Sequence, residues 1–136
     1  MTTEGGPPAR RRILIVDDAE EARGVLAIAL QTVGGATVET TDNAEDALRR
    51  MTNERVDVLV TDVRMRGMSG LDLLSRLRES GCRPTCGAVV ISGETDPELP
   101  RLARACGADA FFSKPFSASA VRKSVISLLE GCDGGG

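Results

Sequence analysis

A chain of 136 residues makes one domain with room for a proper core. Its apolar fraction of 41% and charged fraction of 27% are those of an ordinary soluble globular protein. The net charge of −3 hides a gradient: Arg10, Arg11 and Arg12 against Glu4 give residues 1–12 a charge of +2, so the remainder carries −5, and an acidic body speaks against nucleic acid as the main partner.

The arginine triplet reads as part of a solubilising leader. No run nears the ~18 apolar residues of a membrane-spanning helix. The apolar run Ile13–Val16 stops at two aspartates, too short for a signal peptide. A cytoplasmic protein with no membrane insertion is expected. Cys82, Cys86, Cys106 and Cys132 fit that setting as reduced thiols. With no histidine in the chain, a zinc site is not expected.

Residues 1–11 are rich in Gly, Pro and Arg and read as a disordered leader, 12–130 as one ordered domain and 131–136 as a disordered tail. Ile13–Val16 is the first strand. A helix follows, with Asp18 as N-cap, Glu21 completing a capping box, an apolar stripe of Ala22, Leu26, Leu30 and Val33, and Gly34-Gly35 as its end. Thr37–Thr40 is a weak second strand. Ala44, Ala47, Leu48 and Met51 mark a second helix, and Val56–Thr61 a buried third strand broken only by Asp57. After the loop Arg64–Gly70, a third helix carries Leu71, Leu74 and Leu77.

Val89–Ile91 is the fourth strand. Proline costs about 3 kcal/mol inside a helix but is tolerated in the first turn, so the fourth helix starts near Pro100, after an irregular stretch at 93–99, and ends at Gly107. Phe111–Ser113 is the last strand. The final helix begins near Ser117 and buries Ala118, Val121, Val125 and Leu128. Five strand–helix alternations predict an α/β fold with a parallel sheet covered on both faces.

Four of these strands end on reactive polar residues: Asp17-Asp18, Asp62, Ser92 and Lys114-Pro115. The carboxyl ends of parallel strands share one edge, where ligands sit at the point of reversed strand order. Three carboxylates, a hydroxyl and an ammonium converging there make a site for a divalent cation and a phosphoryl group. Three carboxylates in one pocket strain a fold unless a cation joins them, and magnesium suits hard oxygen ligands with open water positions.

With these pieces in this order, the sequence resembles the receiver domain of bacterial two-component response regulators over about residues 11–130. The segments Asp62-Val63-Arg64-Met65 and Gly67-Met68-Ser69-Gly70 also look like that family's loop. The resemblance implies a doubly wound five-stranded sheet in flavodoxin-like order 2-1-3-4-5. It implies Asp62 as the acceptor of a phosphoryl group from a phosphohistidine, on a histidine kinase or a histidine phosphotransfer protein. Lys114 would neutralise charge on the transferring group and Ser92 would bond a phosphoryl oxygen. Asp18 and Asp62 would ligate Mg2+ (or Mn2+) directly, Asp17 through water, and the main-chain carbonyl of Arg64 would add an oxygen.

The switch residues implied are Ser92 and Phe111, and the output surface is residues 94–130, presented to a downstream protein target. The stretch 94–104 is expected to be mobile before phosphorylation. Arg64 and Glu94 occupy positions that tune phosphoryl lifetime and are expected to form a lid. Arg66 stands where the family more often has proline, which predicts a looser loop. The chain reads as a signalling receiver and not a turnover enzyme. A receiver belonging to a larger hybrid histidine kinase is the nearest alternative. A metal-dependent phosphatase with an aspartyl nucleophile is disfavoured, because it wants a second acid where Arg64 stands.

Overall fold

Parallel strands buried on both faces need unbroken apolar runs, and this chain supplies three of them, at Ile13–Val16, Val58–Val60 and Val89–Ile91. In the computed structural model, which describes the backbone of residues 10–134 and side chains through Cys132, these runs lie side by side. The strands are β1 (Arg11–Val16), β2 (Ala36–Thr41), β3 (Val58–Asp62), β4 (Gly87–Ser92) and β5 (Ala110–Ser113). All are parallel, in the order β2-β1-β3-β4-β5. The five-stranded doubly wound sheet is therefore the one expected, with its reversal of order between β1 and β3.

Alternation along the strands divides the core in two. Leu14, Val16, Leu59 and Val90 face one side, where they meet α2 (Ala44–Asn53), α3 (Gly70–Glu79) and α4 (Leu99–Cys106). Ile13, Ile15, Val58, Val60, Val89 and Ile91 face the other, against α1 (Glu20–Leu30) and α5 (Ala118–Gly134). Each fully buried Val, Leu or Ile contributes about 1.5–3 kcal/mol, so β1, β3 and β4, which carry Asp17, Asp62 and Ser92 at their ends, are firmly anchored.

The expected irregular entry to α4 is present. Residues 93–98 form no regular element, Pro100 falls in the first turn, and Gly107 closes the helix with φ 115°. The side chains of Asn43, Ser69 and Ser117 accept main-chain N–H groups at the starts of α2, α3 and α5.

Several expectations need correction. Asp18 does not cap α1: the helix starts at Glu20 behind Ala19, whose N–H donates to Asp17 Oδ1 instead. The helix also ends at Leu30, ahead of Gly34-Gly35, although Val33 still buries in the following turn. In α5, Leu129 and not Leu128 is the core residue, and the helix continues to Gly134, past the tail boundary at 131. Leu128 covers Gly87.

The arginines are not a leader either. Arg11 and Arg12 belong to β1, and the Arg12 guanidinium lies 2.8 Å from Glu39 and 2.5 Å from Glu54. The rest of the expected leader, residues 1–9, lies outside the described residues. Finally, Cys86 and Cys132 are joined by a disulfide, and among the described cysteines only Cys82 and Cys106 are free thiols.

Candidate functional site

β1 and β3 are neighbours in register Val16 to Thr61, so the residues just past that pair must emerge together. Asp17, Asp18 and Asp62 do: one carboxylate oxygen from each lies within 4.8 Å of the others. Lys114, just after β5, reaches back across the sheet edge. Its Nζ stands 3.3 Å from Asp17 Oδ2 and 3.3 Å from Asp62 Oδ2. Three carboxylates against one ammonium leave the pocket at −2, the complement of a divalent cation.

Both ends of the Asp62–Lys114 pair register that excess. Burial, together with the neighbouring Asp17 carboxylate, pushes the Asp62 carboxyl above its ordinary range despite Lys114. Burial opposes the charge on Lys114, but the attraction of Asp62 and Asp17 outweighs it and holds its ammonium above the usual value. Asp62 thus holds its proton more tightly through burial and Asp17, and Lys114 through the two carboxylates beside it. Like charges at these separations repel by about 3–4 kcal/mol at an effective dielectric near ~20. The donor set, all carboxylate oxygen, fits a hard cation such as magnesium.

Main-chain and side-chain bonds fix the trio. Asp17 is fully buried and holds Ala19 N–H through Oδ1. Asp62 Oδ1 accepts the N–H of Val63 at 2.8 Å. Asp18, the most exposed of the three, accepts Arg66 N–H at 3.1 Å through Oδ2. The loop is therefore tied at Arg66 and not loosened there, because arginine keeps the N–H that proline lacks.

Beside Asp62 and Lys114 opens a cleft of about 650 Å³, bounded by Arg64 and the stretch Gly93–Asp96. Arg64 Nη2 and Glu94 Oε1, both at this cleft, form an exposed ion pair at 3.3 Å. Ser92 is fully buried and its Oγ accepts Glu94 N–H at 3.0 Å. The sheet edge thus brings together Asp17, Asp18, Asp62 and Lys114, with Arg64 and Glu94 at the cleft and Ser92 buried behind it, next to Gly93. Phe111 is not among the cleft residues. It packs, partly buried, against the α2–α3–α4 side of the core that includes Leu99 and Ala103.

Sequence reasoning missed two residues that hold Asp62 in place, and a third that holds the loop after it. Gly70 passes so close that a Cβ there would lie 1.9 Å from the Asp62 carbonyl oxygen, leaving no room for a side chain. Thr61, fully buried, donates its hydroxyl to the same oxygen at 2.9 Å. Glu45 Oε2, from α2, accepts Met68 N–H at 2.9 Å beside Gly67, which has φ 83°. The one available signal was Gly70, a glycine at the first position of a helix.

A family-wide sequence profile for the response regulator receiver domain matches residues 13–126. The chain belongs to this family. The sensory/regulatory protein RpfC of Xanthomonas campestris pv. campestris is 37% identical over 86% of this chain; the chain spans 16% of that protein's length. The chemotaxis protein CheY of Pseudomonas aeruginosa is 28% identical over 90% of this chain and 99% of its own. A CheY-like receiver structure from Methanospirillum hungatei superposes with a TM-score of 0.84 at 25% identity, covering 93% of this chain and 99% of that one. The protein is thus a phosphoryl-accepting receiver module of two-component signalling.

Proposed function

We propose that Asp62 is the phosphoryl acceptor and that Asp17, Asp18, Lys114 and Ser92 serve the transfer. A carboxylate oxygen of Asp62 attacks the phosphorus of a phosphohistidine. The P–N bond breaks, its electron pair stays on the imidazole nitrogen, and an aspartyl phosphate forms. Lys114, already bonded to Asp62, follows the developing charge on the phosphoryl oxygens. The Ser92 hydroxyl, whose oxygen accepts Glu94 N–H, would donate its proton to a phosphoryl oxygen once the group is in place. Hydrolysis reverses the modification: water attacks phosphorus, the acyl-phosphate P–O bond breaks, and orthophosphate leaves. The Arg64–Glu94 lid meters that water.

Asp18 and Asp62 would hold Mg2+ (or Mn2+) directly, Asp17 through water and Arg64 through its main-chain carbonyl; the bound ion supplies charge neutralisation at the phosphoryl oxygens. The donor is a histidine kinase or phosphotransfer protein. The output is contact with a downstream protein through residues 94–130, with Ser92 and Phe111 carrying the change. The acidic body supports a protein target over nucleic acid, and the module works in the cytoplasm as a signalling receiver without turnover of its own. Similarity to RpfC supports a second setting, in which the domain belongs to a longer hybrid kinase.

The observation that carries this reading is Lys114 bonded to both Asp17 and Asp62 beside an open cleft. It is tested by incubation with acetyl phosphate, with and without Mg2+, followed by intact mass. A single Mg2+-dependent phosphoryl adduct is expected, and no adduct under any condition overturns the reading.

A further inference from the structure

The loop between β3 and α3 is gripped from two sides. On one side of Gly67 the main-chain N–H of Arg66 donates to Asp18 Oδ2, from the β1 end. On the other side the N–H of Met68 donates to Glu45 Oε2, from α2. Gly67 itself takes φ 83°, a left-handed turn that lets the amides on either side of it point to different acceptors, and a Cβ there would lie 2.7 Å from Glu45 Oε2. The Arg66 guanidinium is almost wholly exposed and its Nε stands 4.0 Å from Asp18, so the main-chain bond is the closer interaction.

Asp18 is the most exposed acid of the trio and, unlike Asp17 and Asp62, it has no contact with Lys114 among the described interactions. Repulsion from its two neighbours favours rotation of its side chain into solvent. A donor on Oδ2 opposes that rotation and keeps the Asp18 carboxylate beside the other two acids.

We infer that the main-chain N–H of Arg66 is a positioning group that pre-sets Asp18 for the cation, an arrangement open to this chain because residue 66 is not proline. The inference rests on the metal-dependent receiver reading above. It makes cation affinity depend on one backbone hydrogen bond in the loop that also carries the acceptor's neighbours. The loop cannot shift at Arg66 without releasing Asp18.

The test compares Arg66→Ala with Arg66→Pro. Both lack the guanidinium, and only the second lacks the N–H. MgCl2 is titrated into each and into the wild type, and affinity is read from amide shifts at Asp18, Asp62 and Val63. Arg66→Pro is expected to bind Mg2+ about three- to tenfold more weakly than Arg66→Ala, the worth of one hydrogen bond to a partly exposed carboxylate. Equal affinities for the two variants overturn the inference and leave the functional reading intact. A wild type that shows no response to Mg2+ overturns both.

Should Arg66→Pro fail to fold, hydrogen exchange settles the matter without metal. In Asp18→Ala the Arg66 amide is expected to exchange faster by about an order of magnitude, while the Met68 amide, held by Glu45, keeps its rate. An unchanged Arg66 rate would overturn the inference.

Discussion

Two buried aspartates sit at opposite ends of β3, five residues apart, and the protein treats them in opposite ways. Asp57, just before the strand, is surrounded by donors. It accepts Arg12 N–H at 2.8 Å, the Thr85 hydroxyl at 2.5 Å and Arg55 Nε at 3.0 Å. Burial alone would raise its pKa, but the Thr85, Arg12 and Arg55 bonds outweigh burial and hold the carboxyl below its ordinary range. Asp62, at the other end, has one main-chain donor and one shared lysine, and faces two further acids. Burial and Asp17 push it up. One strand thus carries a satisfied carboxylate that ties the sheet together and an under-satisfied one left to react. Local satisfaction, and not burial, separates structure from chemistry here.

Replacing each acid in turn breaks this comparison most directly. Asp62→Asn should lose phosphoryl labelling by acetyl phosphate completely, read by intact mass, while remaining folded. Asp57→Asn should do the reverse, keeping the labelling and losing about 1–3 kcal/mol of stability in urea denaturation, because three donors lose their anionic acceptor. Smaller, but opposite in sign, is the stability effect at Asp62. Without Mg2+, Asp62→Asn should melt above the wild type, and added Mg2+ should narrow the gap by stabilising only the wild type.

pH sharpens the same contrast. The stability from Asp57 is present above the ordinary unfolded carboxyl value near ~3.9 and is lost as pH falls below it through the depressed native value. The native pKa of Asp62 is raised, so its ionisation costs the fold progressively as pH rises from that unfolded value through the native one. Urea midpoints measured across acid pH should therefore show the Asp57→Asn deficit shrinking toward low pH, and the Asp62→Asn advantage growing as pH rises. The smallest expected effect is at the lid. Arg64→Ala should change the lifetime of the aspartyl phosphate by less than about tenfold, since an exposed ion pair is worth 0–1 kcal/mol, with Mg2+ affinity changing less. Equal lifetimes would remove the lid from the account.

The architecture was legible because its signals are local. Apolar runs gave the three central strands, the strand ends gave the acids and the lysine, and Pro100 gave the late start of α4. What stayed hidden depends on contacts distant in sequence. Asp57 looked like a mere interruption of a strand, since its partners Arg12 and Thr85 lie 45 and 28 residues away. Cys86 and Cys132, separated by 46 residues, carry no local mark of their pairing. Leu128 and Leu129 both continue the Val121–Val125 stripe, one at i+3 and one at i+4, and only the packed sheet chooses between them. Asp18 made a plausible cap until Asp17 took the amide. The Arg66 bond was unreadable because a main-chain donor leaves no trace in the side-chain sequence.

α4 is eight residues long, well short of the ~12–15 at which a helix holds together unaided in water. Leu99 and Ala103 are its buried anchors, on the side of the core where Phe111 also packs. A rearrangement at Phe111 that firms those two footholds would order the helix instead of tilting it. Amide exchange at Leu102 and Ala103, faster than in α2 before phosphorylation and slower after it, is the signature to look for. This rim of the molecule would then speak to its partner by freezing and thawing, with the message written in order itself.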